Sequence, residues 1–538
     1  MHTYSTVYVY RREKITAKIP FRCTVPHTQS VGLSATTSLT PFCLTDRTGP
    51  YAHALKDMCS GAAREVVALS LQRRTGGGTV LHFRAERRTT RTPHYHGIMH
   101  KEPFFASVSG TPTEVPPHDV RHGSGNMDAI LGNTHRFTVT LSDADRRRHI
   151  YISGKTGTGK STFLQSLMAQ DLKAGRPFAL LDPHGDLSIS IANACHHHAI
   201  YLNPSDPTHA VGFNPLHKVP ISERSKVAAH IVASFRHLWR DSWGPRLEYI
   251  LTNCVRLLLD TDHTLLAIPL LLTNSTFREH VLQKSTDPFI TSFWLDEYNK
   301  LNDRVRTEAI APIQNKVGMF THNSTLRTII GQTSTIDIAD IVERRTYLIA
   351  NLSKTMGEQP AHLLGAFLAT AFAQAAEERA TIPEEQRHDF TLYVDEFQNF
   401  ATDSFASILS EARKWRLNLV LANQFLTQIP EGLRAALLGN VGTLVVFRVG
   451  ADDADILARE IRHTNPPNLV DTPNFKAWVR TGTAEPELMQ TIPADLPTGQ
   501  LDRVIRITHA RHARPRSLVE ARIRAFIEGA STINIRGK

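Results

Sequence analysis

HIYISGKTGTGKSTFLQSLMAQ, from His149 to Gln170, decides the fold. An apolar run ends at Ser153, a glycine-rich loop follows, and an amphipathic pattern with three- and four-residue spacing begins at Lys160. The loop, Gly154, Lys155, Thr156, Gly157, Thr158, Gly159, Lys160 and Ser161, with Thr162 after it, fits G-x-x-x-x-G-K-[ST] at every position. Glycines let backbone N–H groups wrap phosphates with no Cβ in the way, and the helix behind presents its positive end to the same anion. In this pattern Lys160 reaches the β- and γ-phosphates and Ser161 ligates Mg²⁺. RFTVTL (Arg136–Leu141) before the stretch reads as a strand, with the charged turn SDADRRR between it and HIYIS. PFALLD (Pro177–Asp182) after it completes a strand–loop–helix–strand unit, the signature of a parallel α/β sheet.

Strand signals return at TYLIANL (Thr346–Leu352), FTLYVDE (Phe390–Glu396), LNLVLANQ (Leu417–Gln424) and TLVVFRVG (Thr443–Gly450). Each is apolar almost throughout, as expected of strands covered on both faces. Asp395 and Glu396 close one of them, at the sheet edge where α/β ligands bind. Asp395 is placed to hold the Mg²⁺ shell and Glu396 to polarise a water, a pairing that points to nucleotide hydrolysis. Gln424 closes the next strand beside Glu396, where it either senses a γ-phosphate or caps the strand end. Asp182, opening Asp182-Pro183-His184-Gly185-Asp186, either helps to order Mg²⁺ or belongs to a plain turn. Arg413, Lys414 and Arg416, before the Gln424 strand, compete for the role of an arginine finger.

The 538-residue chain is too long for one ordinary core. Its Lys and Arg outnumber Asp and Glu by 61 to 51, which favours a polyanionic partner. No stretch reaches the roughly 18–20 apolar residues of a membrane span, and LLGAFLATAFAQAA from Leu363 reads as a buried helix. The start lacks a signal-peptide core, and the five cysteines form no CxxC pair, so a reducing cytoplasm is the expected setting. Composition and periodicity divide the chain into a basic, β-containing N-terminal module (1–128, with a linker near 110–125), a first α/β part (129–220), an all-α insertion (221–337), a second α/β part (338–515) and a C-terminal helix and tail (516–538). His196, His197 and His198 read as solvated loop histidines, since adjacent residues point apart. His94, His96 and His100 lack carboxylate or cysteine partners. The cluster from Phe235 to Arg246 reads as helix packing with one exposed basic face.

GKTGTGKS, LDPHGDL, NPSD…VGFNPL, YVDEFQNFA, SEARKW and LANQ occur here in an order that resembles the FtsK/HerA superfamily of P-loop ATPases. Within it they look like the TraG/TraD-type coupling proteins of type IV secretion and conjugation, over about Ile130 to Ala525. The resemblance implies a RecA-like core with a mainly parallel sheet and an inserted all-α domain. It makes Lys160 and Ser161 the Walker A pair and Asp395 and Glu396 the Walker B pair. Arg413 matches the trans-acting arginine, Gln424 the sensor glutamine and Asp182 the acid opening DPxGD. It also implies ATP and Mg²⁺, a homo-hexameric ring, and non-sequence-specific DNA, usually a relaxase-bound single strand, delivered to secretion components. Such proteins usually begin with two membrane-spanning helices. This chain shows a basic module in their place, so recruitment to the inner face of the membrane is expected to run through partners. A protein-export or pilus-assembly ATPase and an ATP-gated DNA scaffold with little turnover are the alternatives.

Overall fold

The parallel strands foreseen above sit in one sheet. The computed structural model describes residues 128–402, 405–462 and 465–532, preceded by the strands His2–Arg11, Lys14–Thr24, Val67–Arg73, Thr79–Ala85 and Asp119–Val120. It divides into Met1–Thr111 and Pro112–Lys538. In the first unit, His2–Arg11 pairs antiparallel with Lys14–Thr24 and parallel with Thr79–Ala85, which pairs antiparallel with Val67–Arg73. The histidines 94, 96 and 100 lie outside the described residues, as does the 110–125 linker apart from Asp119–Val120.

The second unit holds a 12-stranded sheet. Its parallel part runs Ala199–Leu202, Tyr347–Asn351, Phe178–Asp182, Phe390–Val394, Leu417–Asn423, Ile150–Ser153, Thr443–Val446. The chain leaves Ile150–Ser153 and skips two positions to Phe178–Asp182; Leu417–Asn423 and Phe390–Val394 later fill the gap. That crossing brings the tips at Ser153, Asn423 and Val394 side by side, the place where open α/β sheets bind ligands.

Alternation along each strand divides these apolar residues between two cores. Ile150, Ile152, Leu180, Tyr393 and Val420 face the helix Lys160–Lys173. Tyr151, Leu181, Leu392, Val394 and Leu421 face the helix Glu358–Glu378 and the helices lying between Arg224 and Glu343. SKVAAHIVASFRHLW and PRLEYILTNCVRLLLD form the helices Arg224–Leu238 and Pro245–Asp260. LLGAFLATAFAQAA lies buried within Glu358–Glu378, and among the described residues no helix is long and apolar enough to cross a membrane.

Three features go beyond the sequence reading. Phe137–Leu141 does not neighbour Ile150–Ser153: it pairs antiparallel with Ala129–Asn133 in a meander that continues through Glu487–Thr491 and Lys476–Thr481 to Thr443–Val446. SDADRRR is not a bare turn, because Ser142 caps a helical turn, Asp143–Arg146, through the Asp145 N–H. An antiparallel pair, His209–Val211 with Ala513–Pro515, ties the C-terminal segment to the core.

The helical turn at Asp143–Arg146 carries Arg146 inward to Asp171, near the end of the phosphate-loop helix. Asp171 is fully buried and accepts from Arg146 Nη1 (2.8 Å) and Nη2 (2.7 Å), Arg176 Nε (2.8 Å) and Tyr393 Oη (2.6 Å). Burial opposes ionisation of this carboxyl, but the charges and hydrogen bonds of Arg146, Arg176 and Tyr393 prevail and hold it below the usual carboxylate range. Its stabilising contribution is therefore present above the 3.8 of the same carboxyl in the unfolded, solvent-exposed chain and is lost as pH falls through the lower folded value. Asp171→Asn leaves the Arg146 guanidinium buried without a counter-charge and is expected to cost about 3–5 kcal/mol, read as a lower urea midpoint. Asp296→Ala, removing a solvent-exposed partner of Lys300, is expected to leave that midpoint unchanged. Equal effects of the two substitutions contradict the assignment.

Candidate active site at the sheet edge

The loop after Ile150–Ser153 is pinned at its start. The Gly154 N–H donates to the Asn423 carbonyl (3.3 Å) and the Lys155 N–H to the Arg448 carbonyl (2.8 Å), so the tips of both neighbouring strands hold it. A Cβ on Gly154 would lie 2.6 Å from Phe447 Cβ, which rules out any side chain there without displacement. Gly157 (φ 77°) and Gly159 (φ 117°) take left-handed conformations that bend the loop over. Thr158 Oγ1 donates to the Lys155 carbonyl (2.7 Å) and locks the arch from within. Thr156 and Gly157 face solvent at its crest.

Lys160 opens the helix, and its ammonium turns back to the Gly154 carbonyl. It is 6% exposed. Burial pulls its pKa below the usual lysine value, against the opposing pull of Glu396 and Asp395. Ser161, on the same first turn, is exposed, and Thr162 is half-buried.

Asp395 and Glu396 follow the fully buried Phe390–Val394 strand and are themselves only 3% and 5% exposed. Glu396 adopts a left-handed conformation (φ 48°, ψ 53°), uncommon for a residue with a side chain. This turn sends its carboxylate sideways, where it accepts from Gln424 Nε2 (2.8 Å) and Gln398 Nε2 (2.7 Å). His184 Nε2 stands 3.9 Å away. Burial disfavours the Glu396 anion, but the facing His184 ring, the hydrogen bonds from Gln398 and Gln424 and the nearby Lys160 overcome it and lower its pKa. The facing Glu396 carboxylate in turn raises the pKa of His184. Asp395 goes the other way: burial, then the negative charges of Glu396 and Asp182, push its carboxyl up to about 7. Two adjacent acids thus share the edge as one anion and one group near neutrality.

Asp182 is fully buried, and its two oxygens accept the His184 N–H (2.9 Å) and the Ser188 N–H (2.8 Å). It therefore fixes the DPHGD turn and starts the helix Asp186–Ala194. Gly185 (φ 92°) is needed in that turn, since a Cβ would lie 2.8 Å from Asn351 Oδ1. Arg413 stands elsewhere. It lies exposed in the short helix Ala412–Trp415 that leads into Leu417–Asn423, at the opposite end of that strand from Gln424. Seven strand residues separate the two edges, about 20 Å, so Arg413 does not reach its own chain's phosphate loop.

The histidine triplet disperses: His197 Nε2 meets the Leu172 carbonyl (2.8 Å) and its ring stacks on Tyr347, while His198 approaches His512. Phe235 is fully buried against Trp239, Phe320 and Phe367. Sequence reasoning overlooked Gln398 and the contact of His184 with Glu396. Both lie in motifs already singled out, and a polar residue two positions beyond the acid pair was the available signal.

A family model described as the type IV secretion-system coupling protein DNA-binding domain matches residues 135–461. Among solved structures, the chain is similar to the bacterial conjugative coupling protein TrwBdeltaN70 in an unbound monoclinic form, with 16% identity, 70% of this chain and 92% of that one covered, and a TM-score of 0.53. It is similar to the plasmid coupling protein TrwB in complex with ADP and Mg²⁺ (17% identity, 66% and 88% covered, TM-score 0.50). It is also similar to VirB4 of Thermoanaerobacter pseudethanolicus (15% identity, 70% and 98% covered, TM-score 0.50). No curated protein matches. At these identities the structural likeness speaks to the fold.

The acid pair makes a pH-dependent prediction. Asp395 titrates near 7 in the folded protein against a reference value of 3.8, so the folded state binds more protons between those values. Stability from this group then falls as pH rises from about 4 to 7. Asp395→Asn is expected to raise the melting temperature of the metal-free protein at pH 8 and to leave it unchanged at pH 4, measured by thermal denaturation in chelator. A variant less stable than the parent at pH 8 would sink this account.

Proposed function

We propose, because the chain belongs to the family of type IV secretion-system coupling proteins, that it is a Mg²⁺- and ATP-dependent motor that moves DNA or a DNA–protein complex towards a secretion channel. The observation that carries this reading is the meeting of Lys160, Asp395, Glu396 and Gln424 at one sheet edge beside a glycine loop built to hold phosphates. Gly154 to Thr162 cradle the phosphates through backbone N–H groups and the helix N-terminus, and Lys160 turns from Gly154 to the β- and γ-phosphates. Oxygen donors suit Mg²⁺, and the Ser161 hydroxyl with the Asp395 carboxylate would hold it, as the TrwB structure with ADP and Mg²⁺ supports. Bound there, the ion neutralises charge on the β- and γ-phosphates.

Glu396, the acid kept ionised, takes the proton of a water as its oxygen bonds to the γ-phosphorus and the bond to the β-bridging oxygen breaks. Gln424 and Gln398 orient that carboxylate, and Gln424 is set to report the γ-phosphate to its strand. Asp182 organises the turn that brings His184 to Glu396. Arg413, on the far edge of the sheet, serves the site of a neighbouring subunit, which calls for a ring, and a homo-hexamer fits. The formal charge of +10 suits a surface that tracks DNA phosphates without reading sequence. A single DNA strand bound to a relaxase is the cargo favoured by the family. Secretion partners would recruit the motor to the cytoplasmic face of the membrane.

Steady-state ATP hydrolysis without DNA, with single-stranded DNA and with duplex DNA tests the reading. Stimulation by one DNA form is expected, with Lys160→Ala and Glu396→Gln each lowering turnover by at least about a hundredfold. Turnover indifferent to DNA would favour protein export, and full function in Glu396→Gln would favour a scaffold. Mixing supplies a second test. Arg413→Ala and Glu396→Gln chains, each inactive alone, are expected to regain part of the activity together, because an interface pairing the intact Glu396 of one with the intact Arg413 of the other is complete. No recovery in mixed assemblies argues against action across subunits.

A further inference from the structure

Away from the phosphate edge, two segments about three hundred residues apart meet at a cluster of metal-ligating side chains. Asp206 and His209 lie in and just after the loop following the outermost parallel strand, Ala199–Leu202, and His509 lies on the helix Leu501–His512. A carboxylate oxygen of Asp206 and one ring nitrogen of each histidine all fall within 4.8 Å of one another. The three half-buried side chains line a cavity of about 20 Å³, room for one water or one ion.

Hydrogen bonds bring the three groups together before anything binds. Asp206 Oδ1 accepts the Thr208 N–H (2.8 Å), the His209 N–H (3.0 Å) and the Thr208 hydroxyl (2.8 Å), which leaves Oδ2 facing His509 Nε2 at 2.5 Å. The Thr208 hydroxyl also meets His209 Nδ1 (2.9 Å) and fixes that ring's orientation. The two imidazoles lie nearly parallel, 4.1 Å between centroids. Arg516 clamps the loop from behind through the carbonyls of Asp206 and Pro204. An ion pair between Asp206 and His509 uses only two of the three groups, and the third, His209, brings a second ring nitrogen within 4.8 Å of both partners' ligand atoms.

We propose that Asp206, His209 and His509 form a site for a divalent transition metal, zinc being the best match to two imidazoles and a carboxylate. The same donors discriminate against Mg²⁺, which prefers oxygen alone. Zinc bonds of about 2.0–2.2 Å need the three donors drawn together and the stacked rings turned to converge, so binding exchanges the Thr208–His209 and Asp206–His509 contacts for bonds to the metal. Tyr201, Asn203 and Thr508 also line the cavity. A metal there fastens the helix Leu501–His512 to the edge of the sheet, a structural clamp remote from the acid pair and independent of hydrolysis.

Zinc titrated into the full chain, followed by calorimetry and by melting temperature, tests the site. The parent is expected to hold one equivalent and to melt higher when loaded. His209→Ala keeps the Asp206–His509 pair and so keeps the fold, yet is expected to weaken that equivalent at least about tenfold and abolish the shift in melting temperature. His509→Ala should do the same. A chain with His196→Ala, His197→Ala and His198→Ala together should bind like the parent, which separates the site from loose binding by the triplet. Cobalt in place of zinc gives a visible ligand-field band that must vanish in His209→Ala. Absence of a stoichiometric equivalent in the parent, or parent-like binding by His209→Ala, overturns the proposal.

Discussion

The carboxylate of Asp171 is the point on which the phosphate edge depends. It belongs to the far end of the helix whose first residue is Lys160, and it is bound by Arg146 from the turn before the loop strand and by Tyr393 from the strand that ends in Asp395 and Glu396. Three elements separated in sequence are thus tied at the end of the helix remote from the phosphates. Rotation of the helix that would move Lys160 against the acid pair has to break buried, charge-assisted hydrogen bonds. The cost of burying the ions is offset only because every Asp171 oxygen is satisfied and both arginines that meet it approach in good geometry.

At the near end of the same helix the electrostatics are left unresolved. Asp395 and Glu396 are buried side by side with Asp182 behind them, and Lys160 is the ammonium among them. The protein settles the conflict asymmetrically, giving the hydrogen-bond donors Gln398 and Gln424 and the nearby His184 ring to Glu396 and neither amide to Asp395. A cation arriving at Asp395 removes the penalty that keeps that carboxyl near neutrality. The stable network at one end of the helix and the strained acids at the other are complementary: rigidity at Asp171 lets the site carry a destabilising pair without collapse.

Much of this was legible in the sequence. Continuous apolar runs ending in Asp182, Asp395-Glu396 and Gln424 identify buried parallel strands with polar tips, and one order of strands makes those tips converge. What escaped were features fixed by tertiary partners. KAWVRT and ELMQT alternate too weakly to declare themselves as strands, and they pair because Thr443–Val446 offers a free edge. Phe137–Leu141 carries a clear strand signal, but no local pattern says which strand it will join. Asp182 shows the same limit at the site: its chemistry is that of a metal ligand, and only the positions of the His184 and Ser188 N–H groups reveal that its oxygens hold the turn. The Asp206–His209–His509 cluster was invisible because His509 lies about three hundred residues beyond the Asp206–His209 pair and no spacing rule connects them.

One consequence of the topology concerns Arg413 and Gln424. They flank a single strand, Leu417–Asn423, whose every residue is buried and which is hydrogen-bonded on one side to the acid-bearing strand and on the other to the phosphate-loop strand. At its start, Arg416 takes a left-handed conformation (φ 56°) and its carbonyl accepts the Phe390 N–H, which fastens the Arg413 turn to the first residue of the acid-bearing strand. At its end, Gln424 touches Glu396. A strand held on both sides cannot slide by less than a full register step without losing its ladder. Its two ends therefore move as one body, and the edge that presents Arg413 outward is mechanically the same element as the edge that orients Glu396.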